Sequence, residues 1–296
     1  MNLSVLHRST APQAAAPARL LADFPSASLA ATGGVLSGRI LDAAGEPVAA
    51  FSLGLDPDRL IAFADPDGRF RVPAAAGVRH SLYFRAAVAA PAVLGPVAVD
   101  AGDTAADLVL TVERGRTISG RVLGERGEAI AGAQVVAAVA LRGDGRRLTA
   151  NWAAQCAVTD EQGRFRLRGV PNAAVGLVAD HPRGRSPLLA IAEGGRDETV
   201  DLPIDKTAAL AGRLLERGRP VAGRVVARVP ARRGATIALA VPTLPDGSFR
   251  FERLAAGAWE LLGYPQSMGG RSPEGAAAAI ARLAPGRTAK VDLEIS

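Results

Sequence analysis

A frame that opens on Gly-Arg-apolar recurs three times in this chain, from Gly38 to Val72, from Gly120 to Leu167 and from Gly212 to Phe251. Each copy continues with a second glycine, an apolar strand-like run, a turn dipeptide and a polar-Phe-Arg-apolar stretch. A chain made of copies takes its fold and stability from one repeated unit, so this feature constrains the sequence more than any single motif. It divides the 296 residues into an N-terminal tail, 1–34, and three units, 35–113, 114–206 and 207–296. Each unit is long enough for one small core.

The opening segments are Leu36-Ser37-Gly38-Arg39-Ile40-Leu41, Ile118-Ser119-Gly120-Arg121-Val122-Leu123 and Leu210-Ala211-Gly212-Arg213-Leu214-Leu215. Alternation puts the glycine and its apolar flanks on one face and the arginine on the other, the signature of a half-buried strand. A glycine there lets a neighbouring backbone approach closely. Turns follow around Gly45-Glu46-Pro47, Gly127-Glu128 and Gly218-Arg219-Pro220, and second strands begin at Val48, Ile130 and Val221. Asp67-Gly68, Gln162-Gly163 and Asp246-Gly247 read as hairpin turns. Phe70, Phe165 and Phe249 should be the main aromatic core residues, with Arg71, Arg166 and Arg250 turned to solvent. Each unit closes on an alternating segment, 108–112, 200–204 and 291–295. Six or seven short strands per unit, with turns every 8 to 12 residues, predict an all-β chain of three tandem antiparallel β-sandwich modules. The linkers, 113–117 and 205–209, are so short that adjacent units must touch, and the expected shape is a semi-rigid rod.

These residues resemble the carboxypeptidase regulatory-like domains, whose pattern is an opening Gly-x-Val strand, a Gly-x-Pro turn and an Asp-x-x-Gly-x-Phe-x-Leu strand. The resemblance covers 35–296. It departs from the pattern at Ala129, where the turn proline is expected, and in the first unit, which lacks the usual Tyr in the strand after Gly77. It implies an Ig-like or prealbumin-like (transthyretin-like) seven-stranded sandwich, used as an accessory, adhesive or spacer module in exported bacterial proteins. It implies no catalytic residue.

Composition narrows the function classes. The net charge of +6 conceals a gradient: the tail carries +1, the first unit −4, the second +3 and the third +6. Such asymmetry fits an anionic partner, head-to-tail contact between units, or simply a solvated surface. Cys156 is the single cysteine, which rules out an internal disulfide; without a nearby His in sequence it reads as a small buried hydrophobe. The N-terminus does not read as a signal peptide, and no stretch is long and apolar enough for a membrane helix. His7, His80 and His181 are too scattered for a metal site. Asp56-Pro57-Asp58 and Asp65-Pro66-Asp67-Gly68 are acidic turns without the six oxygens that calcium needs. Hydroxyisourate hydrolase shares the transthyretin fold but ends on Tyr-Arg-Gly-Ser, whereas this chain ends Leu293-Glu294-Ile295-Ser296; carboxypeptidase chemistry lacks its His-x-x-Glu pair.

One surface stands out. Arg224, Val226, Arg228 and Arg232 fall on one face of a strand in the third unit, with Val225, Ala227 and Val229 on the other. A row of arginines can hold carboxylate or phosphate bidentately, as in an acidic glycan, a polyanion or the acidic first unit of a neighbour; it can equally be the wet side of an ordinary strand. Nucleic acid is disfavoured because aromatics are only 4% of the chain and do not interleave with the arginines. The sequence therefore predicts a non-enzymatic spacer, scaffold or adhesion protein, exported if it follows its family, without cofactor or metal. The alternative is a binding protein for a polyanion or acidic carbohydrate acting through Arg224, Arg228 and Arg232.

Overall fold

The computed structural model describes residues 33–100, 102, 104–149, 152–232, 235–266 and 277–295. Most of the tail, with His7, lies outside that set. The first repeat contributes β1 (Gly33–Asp42), β2 (Ala50–Gly54), β3 (Ile61–Ala64), β4 (Arg69–Ala75), β5 (Arg79–Arg85), β6 (Ala92–Ala98) and β7 (Thr104–Val112). They form two sheets, β4-β1-β7 and β3-β2-β5-β6. Phe51, Phe70, Leu36, Ile40, Leu82 and Phe84 fill the space between them.

The second repeat contributes β8 (Arg116–Leu123), β9 (Gln134–Ala138), β10 (Ala140–Gly143), β11 (Leu148–Thr149), β12 (Gln155–Val158), β13 (Arg164–Val170), β14 (Val175–His181), β15 (Gly184–Arg185), β16 (Leu189–Ile191) and β17 (Glu198–Pro203). Its sheets are β13-β8-β17 and β12-β9-β14-β15, with β16 also on β14. The third repeat contributes β18 (Ala208–Glu216), β19 (Arg219–Pro220), β20 (Gly223–Arg232), β21 (Ala235–Pro242), β22 (Ser248–Leu254), β23 (Gly257–Pro265), β24 (Ala277–Leu283), β25 (Thr288–Lys290) and β26 (Leu293–Ile295). Its β18 pairs with β19, β22, β25 and β26.

The Asp-Gly and Gln-Gly signals form turns but not the expected hairpins, because each joins strands of different sheets: β3 to β4, β12 to β13 and β21 to β22. Gly68, Gly163 and Gly247 adopt φ of +69°, +71° and +72°, the left-handed turn geometry that glycine reaches without a steric penalty. In the first two repeats Asp65 and Asp160 cap the turn by accepting the amides of Arg69 and Arg164. Phe70, Phe165 and Phe249 are buried, and Arg71, Arg166 and Arg250 are exposed. The second strands start slightly later than expected: Val48, Ile130 and Val221 first donate their amides back to Ile40, Val122 and Leu214.

Within each repeat the sheets are antiparallel except at one recurrent place. The first and last strands of every repeat run parallel: β1 with β7, β8 with β17, and β18 with β25 and β26. That pairing is where the opening glycine works. A Cβ on Gly38 would lie 2.0 Å from the Leu108 carbonyl oxygen, on Gly120 1.6 Å from that of Val200, and on Gly212 1.7 Å from that of Val291. No side chain fits at such distances.

The second and third repeats do more than touch. β9 passes through the single residue Val139 into β10, and β10 leaves its own repeat to pair in parallel with β21, Ala140 opposite Thr236 and Gly143 opposite Leu239. The result is a six-stranded sheet, β11-β10-β21-β20-β23-β24, made from two repeats. The tip of this tongue reaches the opposite sheet, where the Gly145 carbonyl accepts the amides of Glu252 and Arg253. Leu141 is buried among Leu239, Val241 and Phe251 in one core, which also takes Val136, Ala138 and Val178 from the outward side of the second repeat's sheet. Those three residues could not face water as the wet side of a sandwich, so the third repeat covers them. The first repeat keeps a separate core and meets the second through an edge-on Tyr83–Trp152 contact, ring centroids 5.2 Å apart, and an Arg85 hydrogen bond to the Ala154 carbonyl.

Cys156 is a second correction, because it is exposed. In β12 the alternation turns Gln155 and Ala157 inward, which leaves Cys156 and Val158 outside. The apolar character of the thiol did not decide its side; its parity in the strand did.

Candidate functional site

The six-stranded sheet carries the arginine row expected in the third repeat. Arg224 and Arg228 are exposed and Val226 is half-buried, while Val225 and Ala227 are buried on the other side. Arg232 closes the strand opposite Ala235, and its side chain lies outside the described set. The cross-strand register decides what each arginine does. Arg228 lies opposite Glu260 and grips it with two bonds, Nε to Oε2 at 2.8 Å and Nη2 to Oε1 at 3.0 Å. That pair raises the Arg228 pKa and lowers that of Glu260. Arg224 lies opposite Tyr264, its guanidinium 5.7 Å from the ring centroid. Neither Glu260 nor Tyr264 is visible as a partner in sequence, since strand register must be known first.

The tongue adds Arg142, which lies beside Ala238 on this same outward face, and β24 adds Arg282 beside Ala258. Apart from Glu260, which Arg228 holds, the outward positions between these arginines are apolar: Ala238, Ala240, Val226, Leu262 and Ile280. Ile280 is 73% exposed. An antiparallel sheet that faces water on one side normally places polar residues there. This one presents an apolar field crossed by the Arg228–Glu260 pair and flanked by Arg142, Arg224 and Arg282.

A second polar group sits where the second and third repeats meet. Arg185, 1% exposed, donates to the Asp180 carboxylate at 2.9 Å, to the Arg146 carbonyl at 3.2 Å and to the Arg253 carbonyl. Arg253 donates to the other Asp180 oxygen at 2.8 Å and to the His181 carbonyl at 2.9 Å. One carboxylate thus holds two guanidiniums from different repeats. Among the described residues this is a tie between repeats, with no nucleophile in it.

His181 lies next to this tie, and its Nδ1 accepts the Arg183 amide at 3.2 Å, which requires that nitrogen unprotonated. Burial, then the charges of Arg183 and Arg253, lower its pKa below the ordinary 6.5, against a smaller opposing pull from Asp180. The unfolded chain therefore takes up this proton first, and stability should fall as pH drops from 6.5 toward the lowered folded value, then level off below it. Urea midpoints measured across that window should show the decline in the wild type and a flatter profile in His181→Asn.

A cleft of about 330 Å³ opens nearby, lined by Glu125, Arg126, Glu128, Arg183 and Lys206 over Ile130 and Ile204. Glu128 is already engaged by the Arg126 amide and the Arg183 guanidinium, and its pKa is lowered first by its own backbone amide, then by that of Arg126 and by Arg183. His80 bonds the Ala75 carbonyl at 2.8 Å, and the Asp56 and Asp65 carboxylates cap their own turns. No cluster of three or more His, Cys, Asp or Glu side chains suited to a metal occurs among the described residues. The Cys156 thiol has its pKa raised by desolvation, against a weaker pull from Arg85, the reverse of what an activated nucleophile needs.

No protein-family model matches the chain, and no curated protein sequence matches it. Solved structures give remote likenesses. The TIE protein of Bacillus anthracis aligns with 90% of this chain at 14% identity and a TM-score of 0.26, and the chain spans about half (51%) of its length. A streptococcal ancillary pilin aligns with 89% of this chain and 99% of its own at 11% identity and a TM-score of 0.30. The major pilin subunit of Bacillus cereus aligns over the same shares at 11% identity and a TM-score of 0.23. At these scores the likeness says nothing about activity or partners.

Proposed function

We propose that the chain is a non-enzymatic structural protein, a load-bearing spacer or adhesion element of a cell surface or envelope, with modules bounded at 35–113, 114–206 and 207–296. The carrying observation is the parallel pairing of first and last strands in every repeat. Tension applied at the two ends of a repeat pulls these neighbours in opposite directions along their length. The ladder bonds between them then break together in shear and not one at a time. The tongue serves the same end, since it ties the second repeat into the third repeat's sheet. The resemblance to carboxypeptidase regulatory-like domains, carried by the repeated frame, supports the spacer role and the exported setting. No helix among the described residues is long and apolar enough to cross a membrane. The arginine face, with Arg224 and Arg228, is then a contact surface and not a catalytic one.

Pulling on single molecules tests this reading. In a Cys156→Ser background, the first repeat is loaded either through its ends, which shears β1 against β7, or through Ala43→Cys and Glu113→Cys, which peels the same pair from one end. Shear loading should require clearly the higher force. Equal forces in the two directions would remove the basis for a load-bearing role.

A further inference from the structure

The third repeat's outward face is apolar at its centre and cationic at its margins, and the first repeat carries a surface of the opposite kind. On β2 and β3 of the first repeat, Ala50, Ala62 and Ala64 are exposed and Ser52 is half-buried, paired as Ala50 with Ala64 and Ser52 with Ala62. This is a patch of small residues, bordered on β5 by Arg85 and Tyr83, which share its face and contact the second repeat. The turns at its two ends bring Asp56 and Asp58 on one side and Asp65 and Asp67 on the other. Arg69 takes up Asp67 at 3.5 Å, and the repeat as a whole carries −4 against +6 for the third.

The spacings agree as well as the signs. Arg224 lies beside Tyr264 and Arg282 beside Ala258, so these cations mark the ends of a seven-residue stretch of β23, six steps of rise. At a strand rise of about 3.3 Å per residue that stretch is about 20 Å long. Asp58 and Asp65 flank β3 seven residues apart, at most about 23 Å by the same rise. Two largely apolar sheet faces can approach to the roughly 10 Å spacing of a sandwich.

We propose that copies of this chain assemble head to tail, the six-stranded face of one third repeat seating the β2–β3 face of the next copy's first repeat. The contact is heterologous, so each added copy presents a fresh face and the assembly stays open-ended. Arg224 and Arg282 meet the aspartate turns, while Val226, Leu262 and Ile280 cover the alanines. Arg228 stays with Glu260 and leaves no unpaired charge within the field. The proposal rests on the structural reading above, and it names the partner of that surface.

Sedimentation velocity on the full chain tests it, at about 50 mM and about 500 mM salt, where the screening length shrinks more than threefold. The wild type should form a concentration-dependent ladder of species at low salt, and its association constant should fall at least tenfold at high salt. Arg224→Ser with Arg282→Ser removes the basic face, and Asp58→Asn with Asp65→Asn, one at each end of β3, removes the acidic one. Each should be monomeric alone, yet an equimolar mixture should give a 1:1 dimer and nothing larger, because only one compatible pair of faces remains. Circular dichroism and urea midpoints matching the wild type establish that each variant is folded; Ile280→Glu and Ala62→Asp are the substitutes if either charge variant is not.

A monomeric wild type at low salt would overturn the proposal, as would a ladder indifferent to both pairs of substitutions or a wild type that stops at a dimer. Monomers retained on immobilised heparin through Arg224 and Arg282 would overturn it in favour of polyanion recognition. None of these outcomes bears on the single-molecule forces, so the load-bearing reading stands or falls separately.

Discussion

Asp180→Ala is expected to lower the unfolding free energy of the joined second and third repeats by roughly 3 kcal/mol, as removal of one partner from a buried ion pair does. Asp180 is the shared counter-ion of Arg185 and Arg253, and Arg185 has almost no access to water in which to recover the lost interaction. Its remaining bonds go to the carbonyls of Arg146 and Arg253, which are dipoles and do not neutralise a full charge. Trp259, buried in the shared core, reports the transition by fluorescence during urea unfolding. Replacing Asp180 and Arg185 together by apolar residues should recover part of the loss, because no unpaired charge is then left at that point. Glu252→Ala, which breaks the exposed ion pair with Arg146, should change the midpoint very little. If Asp180→Ala is as mild as Glu252→Ala, the cluster does not hold the two repeats together.

This tie was invisible in the sequence, and the reasons are physical. The opening glycines, the Asp-Gly and Gln-Gly turns, and Phe70, Phe165 and Phe249 announce themselves through local chemistry and a period of two, so three sandwiches could be read directly. The tongue has no such signal. Val139 alone joins β9 to β10, so no glycine or proline marks the point where the chain changes sheets, and the partner strand β21 lies almost a hundred residues away. The only hint was the greater length of the second copy between Gly120 and Gly163. Arg185 looks like any surface arginine until two repeats close over it. Arg228 and Arg224 were placed on the right face by alternation, but register decided that one is tied to Glu260 and the other lies against Tyr264. Cys156 went the other way, since residue type suggested burial and strand parity overruled it.

The same contrast between local signal and shared core sets up the most severe substitutions. Gly38→Ala, Gly120→Ala and Gly212→Ala each drive a methyl into a carbonyl of the parallel closing strand, at 2.0, 1.6 and 1.7 Å, and backbone cannot swing aside as a side-chain tip can. Each should cost more than about 4 kcal/mol, the range in which single changes undo a domain. How far the damage spreads should differ. Gly38→Ala should expose the first repeat to amide exchange and leave 114–295 protected, because its core shares no residue with the others. Gly212→Ala should open the third repeat and also uncover Val136, Ala138, Val178 and Leu141, so exchange should quicken through β9, β10 and β14 as well. Gly120→Ala attacks the second repeat at its own β8 to β17 pairing and withdraws the tongue from β21, so both repeats should lose protection together. Hydrogen exchange read by mass spectrometry separates these patterns peptide by peptide. Should Gly120→Ala leave the third repeat fully protected, the tongue would be an ornament on a self-sufficient sandwich, and the second and third repeats would be neighbours and not one cooperative unit.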